Sequence, residues 1–327
     1  MTEQRGNVLV ISAGRRVQLV RLFQRALADL RVDGKVMTTD SNPEWSAASR
    51  LADASFRAPR VSAPEYEPFL LELIEREGIR LIIPVMDTGL LRLAEMRDRL
   101  GSLGCAVVVS DAALVAICRD KRASNEWFRT LGCESPKMLN SDSLTFPCFV
   151  KPFDGSMSKG ARALLAPDMV SPDLFADPGL LFMEYLAPEQ YDEFTIDAYY
   201  DRSGVLRCLV PRKRVEVRGG EISKGIALRG KTYDYLFPRL TKVRGARGCL
   251  TFQFFASKQE ARWVASELNP RFGGGITLSC AAGANYPEWI IREYLLNQAI
   301  ADFDAWADRT AMVRYDSEVI FTAQDPA

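Results

Sequence analysis

Histidine is missing from all 327 residues of the chain. Its absence removes Ser-His-Asp and Cys-His nucleophile systems, His-ligated zinc and imidazole acid–base work, and leaves carboxylates, Lys, Arg and a metal to carry any chemistry. No C-x-x-C pair occurs among the seven cysteines, which are scattered and mostly set in apolar surroundings. They read as small buried hydrophobes, and a reduced, cytoplasmic setting is expected. No apolar run approaches the ~20 residues that span a bilayer. The N-terminus passes from a polar hexapeptide into Val8-Leu9-Val10-Ile11 without a secretory apolar region, so no membrane role is expected. Net charge is missing too: Lys plus Arg equals Asp plus Glu at 42 each, which gives no basic field to attract nucleic acid. No G-x-x-x-x-G-K-[ST] spacing exists. The first turn, Ser12-Ala13-Gly14, runs into Arg15-Arg16 where a dinucleotide fingerprint would need further glycines.

What is present is ordinary globular material, 47% hydrophobic and 26% charged, enough for one large domain or two to three smaller ones. Through the first 110 residues apolar strand runs (7–11, 35–39, 80–85, 105–109) alternate with stretches of helical period (15–30, 68–77, 88–100). That alternation predicts an open parallel sheet with helices on both faces. Asp40 and Asp87 fall at strand C-termini, where either turn capping or ligand contact is expected. From Asp111 the pattern changes. A helix is predicted over 112–130, a strand over 147–150 leading into Lys151-Pro152, and a Gly/Ser loop over 154–160 whose N–H groups suit phosphate oxygens. Glu193, Thr195 and Asp197 alternate with Phe194, Ile196 and Ala198, giving a strand with one acidic side that taken alone reads as solvated. The triplet Arg212-Lys213-Arg214 reads as solvated surface or as an anion pocket. A last strand is expected within 312–321.

The most informative stretch is Ser-Glu-Leu-Asn-Pro-Arg-Phe-Gly-Gly-Gly, residues 266–275. Glu267 and Asn269, two apart on a strand, share a face. Pro270 ends regular pairing, Arg271 follows, and three glycines allow close backbone approach. Runs 250–256 and 262–268 are both apolar and β-prone. A hairpin centred near Glu260 sets Gln253 opposite Glu267 and gathers three oxygen donors, Gln253, Glu267 and Asn269, of the kind a hard divalent cation takes. A strand end with a polar rim and a Gly-rich turn is the plainer reading of the same letters.

Together this order of elements resembles the ATP-grasp superfamily, and within it the branch similar to the carbamoyl phosphate synthetase large subunit. The resemblance runs over residues 7–298 and is most specific in Q-F-F…S-E-L-N-P-R-F-G, which matches the family's Gln, Glu-x-Asn-Pro-Arg pattern. It implies an α/β and α+β fold: a Rossmann-like parallel-sheet domain (1–110), then an ATP-grasp small subdomain with the phosphate loop (111–185) and a C-terminal subdomain with the metal site (186–327).

The resemblance also implies roles. Lys121 and Lys151 contact ATP phosphates, and Ser156 and Ser158 lie in the phosphate-covering loop, where Met157 and fewer glycines depart from the family pattern. Glu184 and Leu186 border the adenine, and Glu193 takes the ribose hydroxyls. Gln253, Glu267 and Asn269 hold Mg²⁺, with Mn²⁺ as a substitute, and Arg271 covers the transferring phosphoryl group. Arg212 and Arg214 stand near a substrate carboxylate, and Gly274 belongs to a loop that lets an acyl phosphate sit against backbone N–H groups. The implied activity joins a small-molecule carboxylate to an amine at the expense of ATP, and a homodimer is the implied assembly. Carboxyphosphate or carbamoyl phosphate chemistry, and a non-catalytic ATP-binding module, stand as alternatives.

Overall fold

In chain order the elements are β1 (Asn7–Ile11), α1 (Val17–Asp29), β2 (Val36–Asp40), α2 (Ala47–Leu51), β3 (Ala54–Arg57), α3 (Tyr66–Glu77), β4 (Ile79–Pro84), α4 (Leu90–Ser102) and β5 (Ala106–Val107). There follow α5 (Ala112–Arg119), α6 (Lys121–Thr130), β6 (Cys148–Pro152), β7 (Arg162–Leu164), α7 (Pro172–Ala176), β8 (Leu180–Glu184), β9 (Tyr191–Tyr200), β10 (Leu206–Arg218) and β11 (Glu221–Ala227). The chain continues with α8 (Lys231–Leu240), β12 (Gly248–Ser257), β13 (Trp263–Asn269), α9 (Ile276–Ala281), α10 (Tyr286–Tyr294) and β14 (Ala311–Val313). This computed structural model describes residues 6–154, 160–259 and 261–322.

The chain divides into two compact units, one of residues 1–109, 285–300 and 313–327, the other of residues 110–284 and 301–312. In the first, five strands form a sheet in the order β3-β2-β1-β4-β5, every pair parallel. The alternating pattern of the sequence is thus realised, with buried Val8, Leu9 and Val10 at its centre. Segment 285–300, which the sequence reading left with the C-terminal subdomain, belongs to this unit because α10 packs on α1. Asp40 accepts from the backbone N–H of Gly14 (3.2 Å) and of Asn42 (3.0 Å), the capping role of its two readings.

The second unit holds an antiparallel three-stranded sheet, β7-β6-β8, and a six-stranded sheet, β13-β12-β9-β10-β11-β14. The helix expected over 112–130 is broken at Asp120, whose extended backbone ends α5 and whose carboxylate accepts the Arg122 N–H to cap α6. The long sheet buries one face against these helices and α8. Phe194, Ile196, Ala198, Phe252, Phe254 and Leu268 meet Phe128, Leu236 and Leu240 there. The Phe128 ring lies 6.4 Å from Phe252 and 5.7 Å from Phe254. Period-two alternation therefore turns Glu193, Thr195, Asp197, Thr251 and Gln253 to the opposite face. The expected last strand shrinks to β14.

Because Phe128 anchors α6, and with it Lys121, to the sheet, Phe128→Ala should cost about 3–5 kcal/mol. Urea unfolding checks it: a midpoint equal to wild type at unchanged slope would contradict this account of the core.

Candidate active site

Register builds the site. Gln253 on β12 pairs with Glu267 on β13 and with Thr195 on β9, and Thr195 pairs with Arg212 on β10. Glu267, Gln253, Thr195 and Arg212 thus form one row across four strands on the same face. The next row holds Asn269, Thr251 and Asp197. The hairpin register expected from symmetry about Glu260 holds at Gln253–Glu267, but a bulge follows: Phe254 pairs with Ala265, and Ser266 is the extra residue. Without that bulge, Glu267 and the buried Ala265 could not face opposite sides as they do.

The bulge has a second effect. It turns out the Ser266 carbonyl, which accepts the Lys151 ammonium at 3.4 Å. Lys151, on β6, is 8% exposed. Burial pushes its pKa down to about 8, Glu267 works against that, and Lys121 adds to it. Lys121, also buried, opens α6, and its backbone N–H donates to the Phe153 carbonyl at 2.9 Å. Lys151 therefore feels both Glu267 and Lys121 electrostatically.

Other residues of the expected site already have partners. Arg271 donates to Asn269 Oδ1 (3.1 Å) and to the Phe272 carbonyl (3.2 Å). Glu184, at the end of β8, accepts the Lys137 N–H (2.9 Å) and both Nη groups of Arg262 (3.0 and 2.8 Å). Burial pushes its carboxyl up, but Arg262 and Lys137 together outweigh this and leave it below its ordinary value. Arg262 also reaches Glu134 and Tyr191, tying the three-stranded sheet to β13. Leu186 follows at half-buried depth, as does Gly274 in the loop after β13. Ser156 and Ser158 lie outside the described residues.

The acidic side of β9 is not a solvated face. Thr195 and Asp197 are buried, and Asp197 accepts Arg212 Nε (2.7 Å) and Nη2 (3.0 Å) and the Ser279 hydroxyl (2.6 Å). The basic triplet is matched acid by acid: Lys213 donates to Asp192 (2.6 Å) and Arg214 to Glu193 (2.5 Å). Burial raises the Glu193 carboxyl pKa against the pull of Arg214, and nearby Glu267 adds to the rise. Sequence reasoning missed Thr195, Thr251, Ser279 and Arg262. The alternation of Thr195 with Asp197 was a usable signal, whereas nothing local marks Arg262.

Among the described residues no cluster of three or more His, Cys, Asp or Glu could hold a metal. The one carboxylate of the Gln253/Glu267/Asn269 set, with two neutral amide oxygens, fits Mg²⁺ of the kind that binds through one or two carboxylates plus substrate phosphates. It does not fit an all-protein metal cage.

Comparison with known proteins adds likenesses in sequence and in fold. Residues 8–108 match the family model described as PylC-like, N-terminal domain, and residues 176–316 match that described as ATP-grasp in the biosynthetic pathway with Ter operon. Over 167 residues the chain is 28% identical to the 3-methyl-D-ornithine–L-lysine ligase of Methanosarcina acetivorans, a match that takes in 51% of this chain and 42% of that enzyme. Among solved structures it is similar to the biotin carboxylase domain dimer of Hydrogenobacter thermophilus 2-oxoglutarate carboxylase with Mg·ADP, ADP and bicarbonate (TM-score 0.70, 14% identity, covering 92% of this chain and 72% of that one). It is similar also to the L-amino acid ligase of Bacillus licheniformis (TM-score 0.66, 15% identity, covering 90% and 75%). At those identities the likeness is one of fold. No helix among the described residues is long and apolar enough to cross a membrane.

The depressed Lys151 pKa sets a stability test. Below about pH 8 the folded protein holds a desolvated ammonium, which destabilises it. Between that value and the ordinary lysine pKa near 10.4 the unfolded chain binds the extra proton, so folding gains stability as pH rises. Lys151→Met should therefore be more stable than wild type near neutral pH, by a margin that shrinks as pH is raised through this window. A margin independent of pH, read by urea unfolding, would contradict the assignment.

Proposed function

We propose that this chain, an ATP-grasp protein by its fold and its family matches, is an ATP-dependent carboxylate–amine ligase. The observation that carries the reading is the Glu267–Gln253 cross-strand pair with Asn269 beside it, set against buried Lys151. Phosphoryl transfer asks little covalent help of a protein; it asks for positioning and charge stabilisation, which lysines, an arginine and a carboxylate supply without histidine.

In this reading Lys121 and Lys151 bind the nucleotide phosphates, and the Glu184–Leu186 segment borders the adenine. Glu193 accepts from the ribose hydroxyls. Gln253, Glu267 and Asn269 would hold Mg²⁺, which when bound would supply Lewis acidity and neutralise phosphate charge. Mn²⁺ suits the same oxygen donors. Arg271 leaves Asn269 Oδ1 to neutralise the transferring phosphoryl group. A substrate carboxylate oxygen attacks the γ-phosphorus and ADP leaves. The amine nitrogen then attacks the acyl carbon, and phosphate leaves with loss of a proton from nitrogen. Gly274 lies in the loop that would seat the acyl phosphate. The archaeal relative's name, an amino acid joined to lysine, makes amino-acid-like carboxylates and amines the first substrates to try. A phosphate-loop subdomain over 111–185, a metal-site subdomain from 186 onward, a homodimer and a reduced cytoplasm, which the free cysteines suit, complete the proposal.

Mg²⁺-dependent ADP release over pairs of amino acids tests it, with hydroxylamine to trap the acyl phosphate as a hydroxamate. Turnover with bicarbonate alone would point to carboxyphosphate instead, and nucleotide binding without turnover to a module. Glu267→Ala should lower turnover by about 100-fold or more, since even the outer partners of metal ligands are worth 10–100-fold. Activity near wild type in a folded Glu267→Ala would sink the metal role.

A further inference from the structure

Two arginines on the site face carry more buried N–H groups than the acceptors around them can satisfy. Arg212 is 1% exposed; its Nε and Nη2 serve Asp197, while its buried Nη1 has no acceptor among the described residues. Arg214, two residues on and so on the same face, has a side chain 8% exposed. Its Nη1 donates to Glu193 Oε1 at 2.5 Å and its Nη2 to the Gly220 carbonyl at 2.9 Å, and its buried Nε is left without an acceptor among the described residues. A buried donor without a partner is costly, and native structures usually give such a group an acceptor.

The member free to move is Glu193. Its side chain is 28% exposed against 8% for Arg214, and Glu267 nearby repels its negative charge. Arg214 is anchored by the backbone at Gly220.

We propose that the Glu193–Arg214 ion pair is a latch over an oxyanion seat. When a nucleoside's ribose hydroxyls donate to Glu193, the carboxylate leaves Arg214, and the guanidinium takes an oxyanion with Arg212 Nη1 close by on the same strand face. The inference rests on the ligase reading, in which Glu193 meets the ribose. A carboxylate substrate and a nucleotide phosphate share this chemistry. A separate carboxylate would bind synergistically with the nucleotide, and linkage requires that synergy to be reciprocal; with the nucleotide's own phosphate the gain falls within one ligand.

Calorimetric titration of Mg·ADP into wild type, Glu193→Gln and Arg214→Met, in acetate and in chloride at equal ionic strength, tests this. Acetate is the carboxylate probe. If the seat takes a carboxylate, acetate should tighten Mg·ADP at least about fivefold in wild type, the lower end of measured couplings, and do nothing in Arg214→Met. If it takes a phosphate, acetate has no effect, while Arg214→Met weakens Mg·ADP at least about fivefold and does not weaken adenosine, which has no phosphate and no longer competes with Arg214 for Glu193. The latch itself is read without nucleotide: acetate or inorganic phosphate should raise the melting temperature of Glu193→Gln and leave wild type unmoved. Should Arg214→Met misfold by circular dichroism, Arg214→Lys replaces it, since lysine keeps charge but not the guanidinium fork. Equal Mg·ADP affinity in all variants and both salts overturns the proposal. Failure of wild type to bind Mg·ADP at all would instead strike the ligase reading beneath it.

Discussion

The site hangs on one buried ion pair, Asp197 with Arg212, both sealed from solvent. Taking two charges out of water costs several kcal/mol per ion, and the pair repays it only with near-ideal geometry and further hydrogen bonds. Here the pair is bidentate, and the Ser279 and Thr251 hydroxyls lie 2.6 and 3.4 Å from the carboxylate oxygens. The four residues come from β9, β10, β12 and α9, so the polar knot fixes three strands and the helix after the glycine loop. The loop is shaped to it. A Cβ on Gly273 would fall 2.9 Å from Thr251 Cγ2, and one on Gly275 would fall 2.3 Å from Arg212 Nη1. Thr251 also reaches the Arg271 carbonyl at 3.0 Å. Arg271 therefore leaves the strand from a point set by the knot beneath it.

Around this knot the charges are arranged in self-cancelling pairs. Arg212, Lys213 and Arg214 meet Asp197, Asp192 and Glu193, and Arg262 meets Glu184, while Arg271 rests on the neutral amide oxygen of Asn269. Without ligand, that arrangement spares the fold most of the penalty of uncompensated buried charge. Lys151 stands apart from it. Among the described residues only a backbone carbonyl, at 3.4 Å, is within its hydrogen-bonding reach, and burial pushes its pKa down. On the ligase reading, this is the cation with most to gain from a polyphosphate, because ligand charge would relieve a desolvation already incurred in folding.

Much of this was legible in the sequence, for physical reasons that differ by element. The parallel sheet showed because strands buried on both faces must be apolar throughout, as Val8-Leu9-Val10-Ile11 is. The Gln253–Glu267 pairing showed from symmetry about Glu260, although the bulge at Ser266 lies between the turn and that pair: next to the turn Phe254 meets Ala265, and the extra residue restores the expected register. The break at Asp120 did not show, since apolar period continues across it and only the cap interrupts the backbone. Edge strands such as β7, of three residues, carry too little pattern to be seen. Nor could local sequence disclose that Arg212 meets Asp197 or that Arg262 reaches Glu184, 78 residues away. Such pairings belong to the folded sheet, and a run of like charges looks the same whether water or carboxylates neutralise it.

The chemistry of the donor set gives the last constraint. One carboxylate and two amides form a weak magnesium site on their own, because affinity among hard oxygen donors tracks ligand charge. Asn269 Oδ1 is moreover occupied by the Arg271 guanidinium. On the ligase reading, a cation that took Asn269 Oδ1 would have to displace that guanidinium hydrogen bond. On the same reading, nucleotide phosphate oxygens could accept the Arg271 guanidinium, so Asn269 would be given up to the metal as Arg271 turned to the phosphates. The arginine would then become available to the phosphoryl group when that group is in place, with no residue beyond the Gln253/Glu267/Asn269 set and Arg271 needed to link the two.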